Sequence, residues 1–299
     1  MANDIQEVQF YLELVVKYFP HLRIQTATPI QAGWSSFVLD INGEYIFRFP
    51  RRPETGQRHV NELGLLPRLA KRLPVPVPIF EFICPPGDEA PFGFHGYRKI
   101  QGVSMTSEAL DGRASLATQL GEFLTTLHHF PNKIAAQYVP AYTVTTWREQ
   151  YVEFYEWVRE KLYPILDESM RIVVAAFWEN HLKNETSFSF QPALIHGDLC
   201  PEDHIYCDPG YQTLTGVIDW EDASIGDPAL DFVGLLALGG RPFVEKVLRA
   251  YQGSLGASFW HRAAFYLDIC PFHELRFALT VQDQVHLQQG LKNVYRRFE

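Results

Sequence analysis

Leu194-Ile195-His196-Gly197-Asp198-Leu199-Cys200-Pro201-Glu202-Asp203-His204-Ile205 is the stretch on which the fold turns. A short apolar run delivers a loop crowded with ionisable side chains, and apolar alternation then resumes, as where a buried strand ends in a rigidly held loop. A second apolar run, Leu214-Thr215-Gly216-Val217-Ile218, ends directly in Asp219-Trp220-Glu221-Asp222. Asp198 and Asp219 therefore stand 21 residues apart, each just past a strand. Asp is a common turn residue, and either one alone is read that way. As a pair they suit a hydroxyl-activating base and a ligand for a divalent metal. Magnesium takes one or two carboxylates, with substrate phosphates and water completing its shell. Phosphoryl transfer asks a protein mainly for positioning and charge neutralisation.

Outward from this island the chain divides in character near residue 103. Before it, Ile5, Val8, Leu12, Val15 and Phe19 recur at helical spacing, with Asn3 or Asp4 as cap. Strand-like runs follow at Arg23–Ile30 and Ser36–Ile41, and Asn42-Gly43 supplies a tight hairpin turn into Glu44–Phe49. A helix is expected over Gln57–Leu66, with Pro67 opening a further turn. Leu73-Pro74-Val75-Pro76-Val77-Pro78 is an extended connector, and strands are expected at Ile79–Cys84 and Gly93–Ile100. After residue 103 helical periodicity dominates: Ala114–Phe130, Thr145–Leu162, Met170–Asn184, Pro242–Gln252, Ala257–Ile269 and Phe272–Val294, interrupted by a strand-bearing stretch, Ala193–Ile218. The expected fold class is α+β, with a small antiparallel sheet lobe carrying one main helix (residues 1–102) and a larger, mostly helical lobe (103–299). A cleft between two such lobes favours a small-molecule ligand.

Composition narrows the function classes. The 299 residues are 46% hydrophobic and 20% charged, so disorder and fibrous folds are excluded. No run reaches the length of a membrane span, and the N-terminus lacks the basic and apolar regions of a secretory signal. Cys84, Cys200, Cys207 and Cys270 show no metal-like spacing and read as reduced thiols, so a cytoplasmic location is expected. The formal net charge of −9 disfavours nucleic acid and leaves room for a cationic small molecule. Oligomeric state is not readable.

His196-Gly197-Asp198-Leu199, followed by Val217-Ile218-Asp219-Trp220, resembles the catalytic and metal-binding motifs of the aminoglycoside phosphotransferase family, small-molecule kinases with a fold similar to that of protein kinases. Gly226-Asp227-Pro228-Ala229-Leu230-Asp231-Phe232 resembles a further family hallmark, and the likeness covers most of the chain, nearest to the 2''-phosphotransferases. The resemblance implies Mg2+ with ATP or GTP as phosphate donor, Asp198 as base, Asp219 as principal metal ligand, Asp227 as a buttress of the catalytic loop, Asp231 as structural and His196 as its brace. The second metal position falls on Asp203 by count or on His204 if the loop carries one extra residue; His204 is preferred because the strand resumes after it. In the small lobe, Arg48 stands where related kinases carry a phosphate-binding lysine or arginine, and Glu62 matches the glutamate that holds it. Gln31-Ala32-Gly33-Trp34-Ser35-Ser36 takes the place of the phosphate-covering loop, where Gly33, Ser35 and Ser36 would meet phosphate, although there is no GxGxxG. The base would lie on the connector at Tyr97, Lys99 and Ile100, with Ile218 beside it.

For the acceptor, carboxylates that pair with ammonium groups are the expected signature, each pair contributing roughly 1 kcal/mol in water at 4 Å and about 4 at an effective dielectric of 20. Glu202, Asp222, Asp268 and Glu274 are the candidates, while Glu153, Glu156 and Glu160 read as a solvated helix face. Val233-Gly234-Leu235-Leu236-Ala237-Leu238-Gly239-Gly240-Arg241 is apolar where some 2''-phosphotransferases are acidic, which leaves a macrolide or a small metabolic alcohol as alternative acceptors. A nucleotide-binding inactive homologue is a second class. A metal hydrolase using His196, Asp198, His204 and Asp219, with Cys200 and Cys207 as zinc ligands, is a third.

Overall fold

The computed structural model describes residues 2–30, 35–110 and 114–299. In chain order the helices are α1 (Ala2–Tyr18), α2 (Pro53–Leu69), α3 (Ala114–His128), α4 (Asn132–Ala135), α5 (Val144–Lys161), α6 (Glu168–Lys183), α7 (Pro201–His204), α8 (Val233–Leu248), α9 (Phe259–Val281) and α10 (Gln284–Phe298). The strands are β1 (Ala27–Ile30), β2 (Ser36–Ile41), β3 (Tyr45–Pro50), β4 (Phe80–Cys84), β5 (Phe94–Arg98), β6 (Val103–Ser104), β7 (Ala193–Ile195), β8 (Ile205–Cys207), β9 (Leu214–Val217) and β10 (Ser224–Gly226).

The first five strands form one antiparallel sheet in the order β1-β2-β3-β5-β4. Its central hairpin turns on Asn42 and Gly43, both at positive φ, the conformation that matches the right-handed twist of the flanking strands. The apolar face of α1 covers this sheet: Leu14 and Val15 are buried in one core with Phe37, Leu39, Phe47, Phe49, Phe82 and Phe94. Asn3 and Asp4 lie inside α1 and not before it. Pro67 is likewise inside α2, which runs from Pro53 rather than Gln57.

The second core is built on α3, α5, α6, α8 and α9, and the inner end of α2 (Leu65, Leu66, Leu69) joins it together with Leu73, Val75 and Val77 of the proline-rich connector. Val217 N–H donates to Pro76 O (2.9 Å), which ties this connector to β9. The small strands in this part, β6-β8-β9 and β10-β7, carry the loops at 196–204 and 218–222. Near the C-terminus Pro271 sits within α9, and the chain breaks only at Gln282, in the left-handed conformation, before Asp283 caps α10. The apolar run after Phe232 opens α8, whose axis kinks at Gly240. No described helix is long and apolar enough to cross a membrane.

Candidate active site

β7 is buried throughout, and the chain leaves it at His196. That imidazole has no solvent exposure; its Nε2–H donates to the Ile218 carbonyl (2.9 Å) and so ties the loop after β7 to the loop after β9. Burial lowers its pKa, so it braces as a neutral ring. The backbone N–H groups of His196 and Gly197 donate to the two oxygens of Asp231 (2.9 and 3.0 Å), which also accepts from His128 Nε2 (3.1 Å). Gly197 has φ +87°, and a Cβ there would lie 2.2 Å from the Asp222 carbonyl oxygen. Only glycine lets the two loops come this close.

The buttress of the catalytic loop is therefore Asp231 and not Asp227. Asp227 instead accepts from Arg262 (Nε 2.6 Å, Nη2 3.2 Å), Tyr266 Oη (2.8 Å) and Ala229 N–H (3.0 Å), which fixes α9 to the end of β10. The two carboxylates are four residues apart on a short 3-10 turn (Pro228–Phe232), so they face different partners.

Asp198 is exposed at the cleft, and its side chain accepts no hydrogen bond among the described residues. Desolvation by the protein beneath it, with Asp219, Asp203 and Asp231 nearby, pushes its pKa up against the pull of His204. The His204 ring joins this loop to the next one. Its Nδ1 donates to the Asp198 carbonyl (2.6 Å), which leaves the Nε2 lone pair 3.6 Å from Asp219 Oδ2. Asp219 holds φ +64°, an unusual conformation for a residue with a side chain and one that concentrates at functional sites. A half-exposed carboxylate and an imidazole lone pair converging this way fit a divalent cation, with Asp219 and His204 as the residues that would hold it. Asp203 turns away and accepts from Cys200 Sγ (3.2 Å). The zinc-hydrolase arrangement does not assemble: Cys207 is buried in β8, and among the described residues the Cys and His candidates of this loop form no compact donor group.

Across the cleft β3 places Arg48 inward. Its Nη1 donates to both oxygens of Glu62 (3.0 and 2.9 Å), and its Nη2 to Asp219 (3.1 Å) and to Glu221. Burial opposes the charge of Arg48, but the three carboxylates hold it protonated well above its ordinary range. Burial pushes the Glu62 carboxyl up while Arg48 pulls it down, and Glu62 also accepts from Trp220 N–H (3.1 Å). The Ser35 hydroxyl donates to Glu221 (3.0 Å), and Ser36 is buried against His59 Nε2 (3.1 Å). Both hydroxyls, expected on phosphate, thus belong to this polar cluster. Gly33 lies outside the described residues. Tyr97 is buried near Arg48 and Asp219, its phenol pushed up by desolvation. Lys99 gives its N–H to Glu44 O (2.8 Å) and its ammonium to Asp40 (2.6 Å), so neither is directed at a base. Ile100 packs over Gly216, where a Cβ would lie 2.4 Å from its Cγ2, and half-buried Ile218 gives its N–H to His204 O (2.9 Å). Glu221 and His59 were not singled out as site residues. Glu221 carried a signal, two residues after Asp219; His59 carried none.

The four acceptor candidates separate. Glu202 is exposed on α7. Asp222 pairs with Arg58 (2.6 Å) and so links the loop to α2. Asp268 pairs with Arg297, and Glu274 accepts from Asn293 Nδ2 (2.8 Å), so both contact α10. They still border the cleft: the thiol of Cys270, between them on α9, is pushed up to about 11 by burial and by the charges of Glu274, Asp198 and Asp268. Glu156 and Glu160 pair with Arg159 and Lys161 on a solvated face. Val233 and Leu235 are core residues, and Gly234 lets α8 touch the catalytic loop, since a Cβ there would lie 2.2 Å from Leu199 O.

Known proteins share this architecture. The GDP and kanamycin complex of APH(2")-IIia superposes with a TM-score of 0.87 at 28% identity, over 96% of this chain and 97% of that one. Macrolide 2'-phosphotransferase MphH from Brachybacterium faecium shares the fold at a TM-score of 0.75 and 20% identity, over 97% and 98% of the two chains. In sequence, viomycin phosphotransferase of Streptomyces vinaceus is 29% identical over 104 residues, 33% of this chain and 34% of its own length. The uncharacterized protein YcbJ of Bacillus subtilis (strain 168) is 28% identical over 119 residues, 38% of each. These two alignments span little more than a third of the curated relatives. The model of the phosphotransferase enzyme family matches residues 26–266, a stretch that holds both loops, Arg48 and Glu62: the chain belongs to that family and has the two-lobed fold of its aminoglycoside phosphotransferases.

Proposed function

We propose that this protein transfers the terminal phosphoryl group of ATP or GTP to a hydroxyl of a cationic, aminoglycoside-like acceptor, with residues 1–102 forming the nucleotide lobe and 103–299 the catalytic and acceptor lobe. The observation that carries this reading is the single imidazole of His204, hydrogen-bonded to the Asp198 loop on one side and facing Asp219 on the other. Asp198 accepts the proton of the acceptor hydroxyl as the oxygen attacks phosphorus and the bond to the leaving diphosphate breaks. Its raised pKa moves it toward the basicity that such proton transfer favours. Arg48, oriented by Glu62, neutralises charge on the donor phosphates. Mg2+, held by Asp219 and His204, supplies charge neutralisation at the phosphates when bound.

An ammonium-bearing acceptor is favoured over a macrolide for two reasons. Glu274 and Asp268 border the cleft beside Cys270. The apolar run that left room for a macrolide buries Val233 and Leu235 in the core. The test is a mass-spectrometric screen for phosphoryl addition to aminoglycosides, macrolides and amino alcohols with Mg2+ and either nucleotide. Addition to an aminoglycoside supports the proposal; addition only to a macrolide or an uncharged alcohol reassigns the acceptor. No transfer to any of them, with nucleotide bound, favours an inactive homologue.

A further inference from the structure

Behind Arg48 lies a group of residues that the transfer reaction leaves unused. His59 and Glu62 are one turn apart on α2, and His95 stands on β5 as the cross-strand partner of Arg48. All three are about 2% exposed. One nitrogen of each imidazole and a carboxylate oxygen of Glu62 lie within 4.8 Å of one another, with His95 Nε2 3.9 Å from Glu62 Oε2. That spacing is too long for a hydrogen bond. Two buried nitrogens, His59 Nδ1 and His95 Nε2, have no hydrogen-bond partner, an expensive state for a polar atom in a core.

The tautomer of His59 is set by its neighbour. Glu221 can only accept, so the 3.2 Å contact places the proton on His59 Nε2 and leaves a lone pair on the unpartnered Nδ1. A histidine that donates one nitrogen to a carboxylate while its other lone pair is free has the orientation of a metal-bound imidazole. Two neutral imidazoles and a carboxylate form a donor set for zinc and similar borderline cations rather than for magnesium. Tetrahedral bonds of about 2.0–2.1 Å require donors somewhat closer than 3.9 Å, a movement within reach of side-chain torsions. Charge favours the ion: Arg48 faces three carboxylates, Glu62, Asp219 and Glu221.

We infer that His59, Glu62 and His95 bind a divalent transition-metal ion of the zinc type, with Glu221 orienting His59. The ion shares Glu62 with Arg48, so its binding loosens the Arg48–Glu62 pair. That consequence for nucleotide affinity rests on the proposed function; the metal site itself does not.

The test uses the full chain, stripped with chelator and titrated with Co2+ alone. The expected result is one equivalent bound with the visible absorption of a low-symmetry, nitrogen- and oxygen-ligated site, displaced by Zn2+ and not by Mg2+. His95→Gln and His59→Gln are expected to abolish the band, and Glu221→Gln to weaken affinity about 10–100-fold. No such band in the wild-type chain, or an undiminished band in both histidine variants, overturns the site. Should the variants fail to fold, anomalous scattering from Zn2+-soaked wild-type crystals decides. A peak among the three residues supports the inference, and peaks only at His204 and Asp219 refute it. Weaker nucleotide binding with Zn2+ present, lost in His95→Gln, supports the coupling. Unchanged binding removes the coupling and leaves the site to stand on the cobalt result.

Discussion

Two buried guanidinium groups have opposite surroundings. Arg262 is fully buried and faces one carboxylate, Asp227, while its remaining N–H groups reach Ser189 O, Ser258 Oγ and Leu255 O. Arg48 is nearly as buried but faces Glu62, Asp219 and Glu221, with two unpartnered imidazole nitrogens close behind. The first cluster is balanced in charge and saturated in hydrogen bonds, which suits a fixed strut between β10 and α9. The second carries an excess of two negative charges, and one of its members, Asp219, is half exposed. A buried cluster with unmatched charge is costly to keep for stability alone, and a cation relieves it. The comparison separates structure from chemistry more sharply than burial does.

The largest expected effect tests the chemical side. Asp198→Asn should lower turnover about 10²–10⁴-fold with nucleotide affinity and melting temperature unchanged; a variant that retains activity removes the base from the mechanism. On the structural side, Arg262→Met leaves Asp227 buried without its partner and should cost about 3–5 kcal/mol in denaturant unfolding. Arg48→Met should cost less, about 1–3 kcal/mol, because Glu62 is already pushed toward its neutral form by burial, and should mainly weaken nucleotide binding. Equal losses of stability in the two arginine variants would break the comparison. Gly197→Ala forces a side chain to φ +87° against the Asp222 carbonyl, and should cost at least about 1–3 kcal/mol while lowering turnover through the displaced loop.

The smallest effects concern pH. Asp198 acts in its ionised form and its pKa is raised, so kcat/KM should fall on the acid side at a pH above the ordinary aspartate value. His181 is buried with neither nitrogen partnered, and desolvation lowers its pKa to about 3. The unfolded chain takes up this proton below about pH 6.5 and the folded chain does not. Stability is therefore fully present above about pH 6.5 and declines as pH falls toward about 3, by at most about 1.4 kcal/mol per unit for this group. His181→Leu should flatten that slope in urea unfolding measured across the range.

Much of this was legible along the chain. The Asn42-Gly43 hairpin, the strands at 36–41 and 80–84, and the positions of Asp198 and Asp219 past β7 and β9 follow from residues near one another in sequence. The errors were of two kinds. Pro67 and Pro271 were read as helix boundaries, yet both lie inside helices, each with a flank buried in the large core that outweighs one lost backbone hydrogen bond. Residues of like chemistry were also given one another's tasks: Asp227 for Asp231, and Ser35 and Ser36 for phosphate contacts when they serve Glu221 and His59.

Sequence alone determined where the ionisable groups stand relative to turns and strand ends, because those preferences arise from backbone conformation over a few residues. It could not determine which partner each group faces. Asp227 meets Arg262 across 35 positions, Arg48 meets Asp219 across 171, and Arg58 meets Asp222 across 164. Neighbouring side chains on a strand or short turn point in different directions, so a shift of one residue exchanges one partner for another. Only the packing of α2, β3 and the two loops against a shared core settled those directions, and with them the difference between a strut and a reactive cleft.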